Sequence, residues 1–465
     1  MKSKLAFILF ILCALLTLSA CQNSQTPAPA PMEPPIETTE PEAPTPEPET
    51  PAEPAADPSL SQRELDMIED IEYLRETYKE KHIEPFYLCS EEEFDFKLDQ
   101  VKAKVSELSD VDIYFELQVV LAGMGDIHTD ITPSADVSSE MMSRQFPLAL
   151  QNIDGRLYPT HYLEGYEQFA PYLLREIVAV NGIDAAYLEQ KLISVASPFN
   201  PRQSSTWWSL VPPVFFDWAG CDYKEGYTFQ ILNDNQEVES IEVPIITRTE
   251  AAEGAWVSPE NWDHIFFGRY YDDWAEYVEG ENGGCVYLHY SDLTSTVSIV
   301  KTFEKASFLI QDHPECGKLV IDMRDHSGGA AARLPQVQNS ASQLVSPTIE
   351  QVYVVTGGYT ASAAVISLGI FRSLFDNMVV IGEPTGQFDP FLCVMNNEFV
   401  SPHSQYSIQI SNLWYDAETG VETYYDEDGK LYPWESTILP DVYIHQDIED
   451  VRQGKDSVIK WVLTQ

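Results

Sequence analysis

Basic residues are scarce in this chain. Lys and Arg together number 27 against 74 Asp and Glu, for a formal net charge of −47. Binding phosphates requires a basic surface, so nucleic acid is excluded as a partner. The same charge repels anionic lipid headgroups and keeps the folded part off a membrane surface. Cysteine is also sparse, at seven residues. No two form a CxxC pair, and no Cys/His cluster has zinc-ligand spacing, so no metal site is read from them. Lysine is missing altogether between Lys318 and Lys430.

What is present begins with an address. Lys2 and Lys4 precede an almost unbroken apolar run over residues 5–18. That run has the length of a signal h-region and falls short of the roughly 20 residues of a membrane span. Leu18-Ser19-Ala20-Cys21 follows at once and resembles a lipobox. Residues 1–20 are therefore expected to be a lipoprotein signal peptide, with Cys21 the lipidated residue. Gln22 rather than Asp comes next, so nothing argues for inner-membrane retention. Residues 21–60 are dominated by Pro, Glu, Ala and Thr, with no Lys or Arg before Arg63. Such a segment has little to bury and reads as a disordered stalk. In polyproline II it reaches on the order of 100 Å. The expected location is the cell membrane, extracytoplasmic side, with the lipid as the only membrane contact.

About 400 residues remain, enough for two or three domains. With Cys13 and Cys21 set aside, five cysteines are left: Cys89, Cys221, Cys285, Cys316 and Cys393. Five is odd and the spacing is wide, so buried free thiols are expected, with one disulfide left open.

Residues 61–145 read as a helical domain. Ser61 caps a run with Leu65, Ile68, Ile71 and Leu74 at helical spacing. Ser90 precedes three glutamates and then Phe94, Leu98 and Val101, an N-cap with acids in the first turn. A third helix starts near Asp110 and stops at Gly123-Met124-Gly125. Residues 146–250 alternate strand-like runs with turns. Asn181-Gly182 is a strong turn signal, and Asp184 opens a short helix. This order resembles a PDZ-like α+β domain, without a clear carboxylate-binding loop. Residues 260–465 alternate buried strands with helices, as in an α/β fold with a mostly parallel sheet. Active sites in such sheets lie at the carboxyl ends of strands. Three motifs fall there: Arg324-Asp325-His326-Ser327-Gly328-Gly329, Gly357-Gly358-Tyr359-Thr360-Ala361-Ser362, and Gly382-Glu383-Pro384-Thr385-Gly386.

Ser362 stands where a glycine turn runs into a helix of small residues. The free N–H groups there suit a tetrahedral oxyanion. A serine at a helix start is by itself more often a cap. The ordered motifs add weight. The strand ending in Arg324 to Gly329, Thr360-Ala361-Ser362-Ala363-Ala364, Gly382-Glu383-Pro384-Thr385-Gly386 and Pro440-Asp441-Val442 resemble the S41 peptidases, the tail-specific or C-terminal processing protease superfamily. The resemblance spans about residues 65–465. It implies a ClpP/crotonase-like α/β core, preceded by the helical and PDZ-like domains.

The resemblance also implies roles. Ser362 would be the nucleophile, with an oxyanion hole from the backbone N–H of Ala363 and that of Gly328 or Gly329. One branch takes as base a lysine just after the Gly-x-x-Thr element, where Gly386-Gln387 stands here. The lysine-free stretch disfavours that solution. The tricorn-like and retinoid-binding-protein-like branch uses a histidine in an element resembling Gly-Asp-x-His-Thr. Gly125-Asp126-Ile127-His128-Thr129 matches it, so His128 is the expected base, with an ordinary pKa near ~6.5. A late glutamate acting through a hydroxyl would orient the imidazole. Glu435 is the candidate, although Ile127 stands where that hydroxyl belongs. Asp126 and Glu383 are alternatives.

His326 is expected to line the cleft and His289 to be structural. Val365 stands where the motif often carries a glutamate. The acidic, aromatic stretch 413–433 resembles an insertion. The implied activity is a serine peptidase acting on peptide or protein substrates without cofactor or metal. The alternative is a silent relative that binds peptides or apolar ligands. A stalked solute-binding lipoprotein fits the motif order least. Cys21→Ser is expected to abolish palmitate labelling and move the protein from the membrane fraction to the soluble extracytoplasmic fraction, as read by fractionation.

Overall fold

The computed structural model describes residues 60–86, 89–195, 211–221, 226–260, 262, 273–280, 282–291, 293–387, 391–415 and 439–465. The signal segment, Cys21 and the proline-rich stretch to residue 59 lie outside them. Among the described residues no helix is long and apolar enough to cross a membrane.

Three capped helices open the fold. α1 (Gln62–Lys81) starts at a capping box, in which Ser61 and Glu64 satisfy each other's backbone N–H. α2 (Glu91–Ala103) and α3 (Asp110–Ala122) are capped by Ser90 and Ser109. Their apolar faces bury Ile71, Leu74, Phe94, Leu98, Ile113 and Leu117. After α3 the chain turns at Gly125, at φ +81°, and enters the short strand β1 (Asp130–Thr132).

An antiparallel sheet follows. It contains β2 (Leu148–Ile153), β3 (Arg156–Leu163), β4 (Ile177–Val180), β5 (Tyr227–Leu232) and β6 (Val238–Val243). Asn181 and Gly182 turn the chain after β4, both at positive φ (48° and 78°), as a type I′ turn demands. Asp184 caps α4 (Ala185–Ser194) by accepting the Ala186 N–H at 2.7 Å.

The last unit is built on a six-stranded sheet. In chain order it runs β7 (Trp274–Val278), β8 (Cys285–His289), α5 (Thr296–Asp312), β9 (Lys318–Asp322), α6 (Leu334–Ala341), β10 (Gln351–Thr356), α7 (Ala363–Leu374) and β11 (Met378–Gly382). Two hairpin-like pairs come next: β12 (Phe391–Cys393) with β15 (Leu413–Tyr415), and β13 (Glu398–Val400) with β14 (Ser407–Gln409). β16 (Val442–Tyr443) and α8 (Ser457–Thr464) complete it. The strand order is β7-β8-β9-β10-β11-β16, parallel from β8 onward and antiparallel only at β7. Every residue of β8 and β9 is buried, the pattern of a sheet covered on both faces. α5, α6 and α7 cover one face through Ile299, Phe303, Val337 and Leu368, and α8 covers the other through Val458, Ile459 and Val462.

The Pro440-Asp441-Val442 segment closes the sheet edge. Asp441 accepts the Val380 N–H through its side chain and donates its own N–H to the Val380 carbonyl, both at 2.8 Å. Residues 398–411 behave differently from the rest of the expected catalytic segment. Tyr406, Ile408 and Ile410 pack into one core with the N-terminal helices and the antiparallel sheet. All five cysteines are free thiols, with Cys393 the least buried.

A buried ionic cluster secures the turn after β9. Arg324 meets Asp322 at 2.5 Å and Asp456 at 3.0 Å. Asp322 also accepts the Tyr287 hydroxyl at 2.6 Å, and Asp456 caps α8. Removing one partner of such a group leaves uncompensated buried charge. Arg324→Leu is therefore expected to cost about 3–5 kcal/mol, measured by urea denaturation.

Candidate active site

Ser362 occupies the N-cap of α7 without capping it. Its backbone sits at φ 55° and ψ −126°, and its side chain makes no cap hydrogen bond. A non-glycine residue at such a φ costs on the order of 1–3 kcal/mol and persists only where its surroundings impose it. Those surroundings are the three strand-end turns. Thr360 Oγ1 accepts from the Gly357 N–H (3.0 Å) and donates to the Met323 carbonyl (2.8 Å). The Ala361 N–H donates to the His326 carbonyl, and the Gly386 N–H to the Thr360 carbonyl. All three motifs are thus stitched around the serine. Gly328 approaches so closely that a Cβ there would lie 2.7 Å from Ser362 Cβ, and its φ is +112°. Only glycine fits.

His128 comes from the other end of the chain. Its Nε2 lies 3.0 Å from Ser362 Oγ, across 234 residues of sequence. The ring stacks on Phe391, with centroids 6.0 Å apart, and Phe391 in turn packs on Val365 and Ile366. Val365, where a glutamate often stands, therefore supports the wall behind the imidazole. Burial holds the His128 pKa below its ordinary 6.5, partly offset by the Asp126 carboxylate and by a hydrogen bond with the Leu392 backbone. The loop is positioned by β1, which pairs antiparallel with β14 through Asp130–Gln409 and Ile131–Ile408. Gln409 Nε2 donates to the His128 carbonyl at 3.1 Å.

Asp126 organises this loop and does not touch the ring. Its carboxylate accepts the His128 N–H (3.0 Å) and the Thr129 hydroxyl (2.6 Å), and it faces His82 Nε2 at 3.2 Å. Burial pushes its pKa up, but the bond to His82 and the two nearby histidines outweigh that, leaving it at about 2. Glu383 is held through its backbone, its N–H donating to the Thr356 carbonyl. Glu435 lies outside the described residues, as does the stretch 416–433.

The second ring nitrogen is met by a residue that sequence reasoning passed over. Gln387, buried directly after Gly386, places Nε2 3.1 Å from His128 Nδ1. Its Oε1 accepts the Ser362 N–H at 2.5 Å. One amide thus bridges the serine and the histidine. In the sequence its position stands out only as the place where a lysine is missing. A polar side chain following Gly-x-x-Thr-Gly was the available signal.

Of the expected oxyanion donors, Ala363 begins α7, in the first turn, where N–H groups lack intrahelical partners. Gly328 donates its N–H to His326 Nδ1 at 3.0 Å, and its carbonyl accepts from Leu293. The Gly328 N–H is thus engaged within its own turn. His326 does not line an open cleft; it is fully buried, with its edge on Tyr290 at 4.3 Å. Burial pushes its pKa down to about 3, so it is neutral and shapes the glycine turn. His289 lies 3.5 Å from Asp325, beneath the same turn.

No family model matches the chain, and no curated protein matches it in sequence. Solved structures do share its fold. Mature CPAF in complex with lactacystin aligns with a TM-score of 0.57 at 10% identity, covering 87% of this chain and 98% of that one. A CPAF point mutant aligns with a TM-score of 0.58 at 10% identity, covering 87% and 96%. A putative S41 protease from Bacteroides fragilis matches more loosely, with a TM-score of 0.35 at 12% identity, covering 70% and 82%. At this identity the CPAF structures speak for the fold alone.

The His326 geometry carries a test. Asn offers an oxygen where Nδ1 accepts the Gly328 N–H, and Leu offers none. His326→Leu is expected to lose about 1–3 kcal/mol through the orphaned N–H, and His326→Asn less, as compared by chemical denaturation.

Proposed function

We propose that this chain is a lipid-anchored extracytoplasmic serine peptidase that cleaves peptide bonds by acyl transfer. The observation that carries the reading is the 3.0 Å contact between His128 Nε2 and Ser362 Oγ, at a strained elbow beside glycine and helix N–H groups. Ser362 Oγ attacks the scissile carbonyl carbon while His128 takes its proton. The oxyanion forms against the N–H groups of Ala363 and Gly329. His128 then gives the proton to the leaving amine as the C–N bond breaks. Water, activated by the same imidazole, releases the acyl group and restores Ser362. The anchor at Cys21 and the proline-rich stalk would confine this activity to peptides or proteins outside the cytoplasm. The antiparallel unit is read as PDZ-like and the N-terminal helices as a separate domain, in keeping with the S41 resemblance.

One observation favours a second reading. The group at His128 Nδ1 is a neutral amide, where a Ser-His centre ordinarily has an acid. A silent S41-like protein that binds peptides or apolar ligands would tolerate that.

Labelling by a fluorophosphonate probe separates the two. Wild type is expected to label, Ser362→Ala not at all, and His128→Ala more slowly by roughly 10²–10⁴-fold. Labelling that persists in Ser362→Ala rules out this nucleophile. Protonated His128 cannot act as base, and its pKa lies below the ordinary value. The acidic limb of kcat/KM is therefore expected below pH ~6.5, measured on a peptide substrate.

A further inference from the structure

We infer that His82 is a positioning residue for the catalytic base: through Asp126 it fixes the loop that presents His128 to Ser362. The effect on catalysis rests on the peptidase reading above; the relay of hydrogen bonds does not.

His82 is the C-cap of α1, and its side chain and that of Asp126 are closed to water, at 0% and 1% exposed. Its neighbours locate the ring hydrogen. The Glu84 N–H donates to Nδ1 at 3.0 Å, so that nitrogen carries a lone pair. The hydrogen is then on Nε2, which lies 3.2 Å from Asp126 Oδ2. A carboxylate only accepts, so the bond runs from His82 to Asp126. Tyr78 packs on the imidazole, with centroids 4.9 Å apart, and its own hydroxyl is fixed on the Pro85 carbonyl at 2.7 Å.

Asp126 passes the constraint on. Its Oδ1 accepts the His128 N–H at 3.0 Å, an Asx turn that sets the backbone of the base. Its Oδ2 accepts the Thr129 hydroxyl at 2.6 Å, and Thr129 Oγ1 accepts the Ser411 N–H at 3.0 Å. The Ser411 carbonyl accepts the Ile83 N–H at 3.0 Å, next to His82 in the chain. The circuit closes there. The end of α1, the loop after α3 and the chain beyond β14 are tied together, with one carboxylate at the junction. Removing the His82 donor leaves Asp126 Oδ2 a partner short in a site closed to water, and the loop loses its side-chain tie to α1. A base shifted by about 1 Å can lose 10²-fold in rate.

Two substitutions in the full chain separate the two bonds of the ring. His82→Gln places an amide nitrogen where Nε2 stands and can still donate to Asp126. His82→Asn ends at the level of Nδ1, so it can serve Glu84 but does not reach Asp126. Fluorophosphonate labelling is expected to slow about 10–10²-fold in His82→Asn and to stay close to wild type in His82→Gln. Added to His128→Ala, His82→Asn is expected to slow the residual labelling no further, because its effect passes through the base. A general loosening of the fold would slow both backgrounds alike. Hydrogen exchange by mass spectrometry is expected to quicken over residues 126–132 in His82→Asn and not in His82→Gln, with α7 unchanged in both. Wild-type labelling by His82→Asn overturns the inference. So does a folded His82→Gln as slow as His82→Asn, or a full further loss in the His128→Ala background. If His82→Asn does not fold, His82→Gln decides, since slow labelling by that folded protein overturns the inference and near-wild-type labelling supports it. If wild type itself does not label, the peptidase reading falls and exchange decides the relay: faster exchange over 126–132 in His82→Asn than in His82→Gln sustains it, and equal exchange overturns it.

Discussion

A three-residue strand decides whether this molecule has a site at all. β1 pairs with β14, and β14 pairs in turn with β13 on its far side. Through that pairing the loop after α3 is laid against the carboxyl end of the parallel sheet, and His128 reaches Ser362. The pairing is backed by packing, because Tyr406, Ile408 and Ile410 share a core with the N-terminal helices. The late hairpin is thus chemically part of the N-terminal half and covalently part of the C-terminal half. A shift of one residue in its register would turn Ile131 and Ile408 away from the core and carry His128 with them.

The nucleophile side is fixed by a different device. Parallel strands end at one level, so the turns after β9, β10 and β11 are neighbours by construction. Each contributes hydrogen-bonding groups to the others, with Thr360 at the centre. This network holds Ser362 at its positive φ, and Gly328 permits the close approach. Beneath it, Arg324 ties Asp322 to Asp456 and anchors the first turn to α8. Such charges, removed from water, are stable only as a set, which makes the turn rigid.

Between these two halves sits one amide. Gln387 accepts the Ser362 N–H, donates to the Leu392 carbonyl and lies against His128 Nδ1. Polar groups in a buried site are not independent choices.

The amino-acid sequence by itself determined the local elements: the capped helices at Ser61, Ser90 and Ser109, the Asn181-Gly182 turn, the buried strands and the elbow at Ser362. Each rests on propensity, periodicity or turn chemistry within a few residues, and each is found in place. The motif order also brought Ser362, His128 and the glycines forward as candidates. Only the tertiary structure decided which atoms meet. It committed the Gly328 N–H to His326, turned Asp126 to the backbone of its own loop, and set Gln387 against the ring. The β1–β14 pairing has no local signature, and a polar residue after Gly-x-x-Thr-Gly does not by itself reveal what the amide bridges. Both depend on contacts between residues hundreds of positions apart, and the direction of a hydrogen bond is set by neighbours that the linear chain does not reveal.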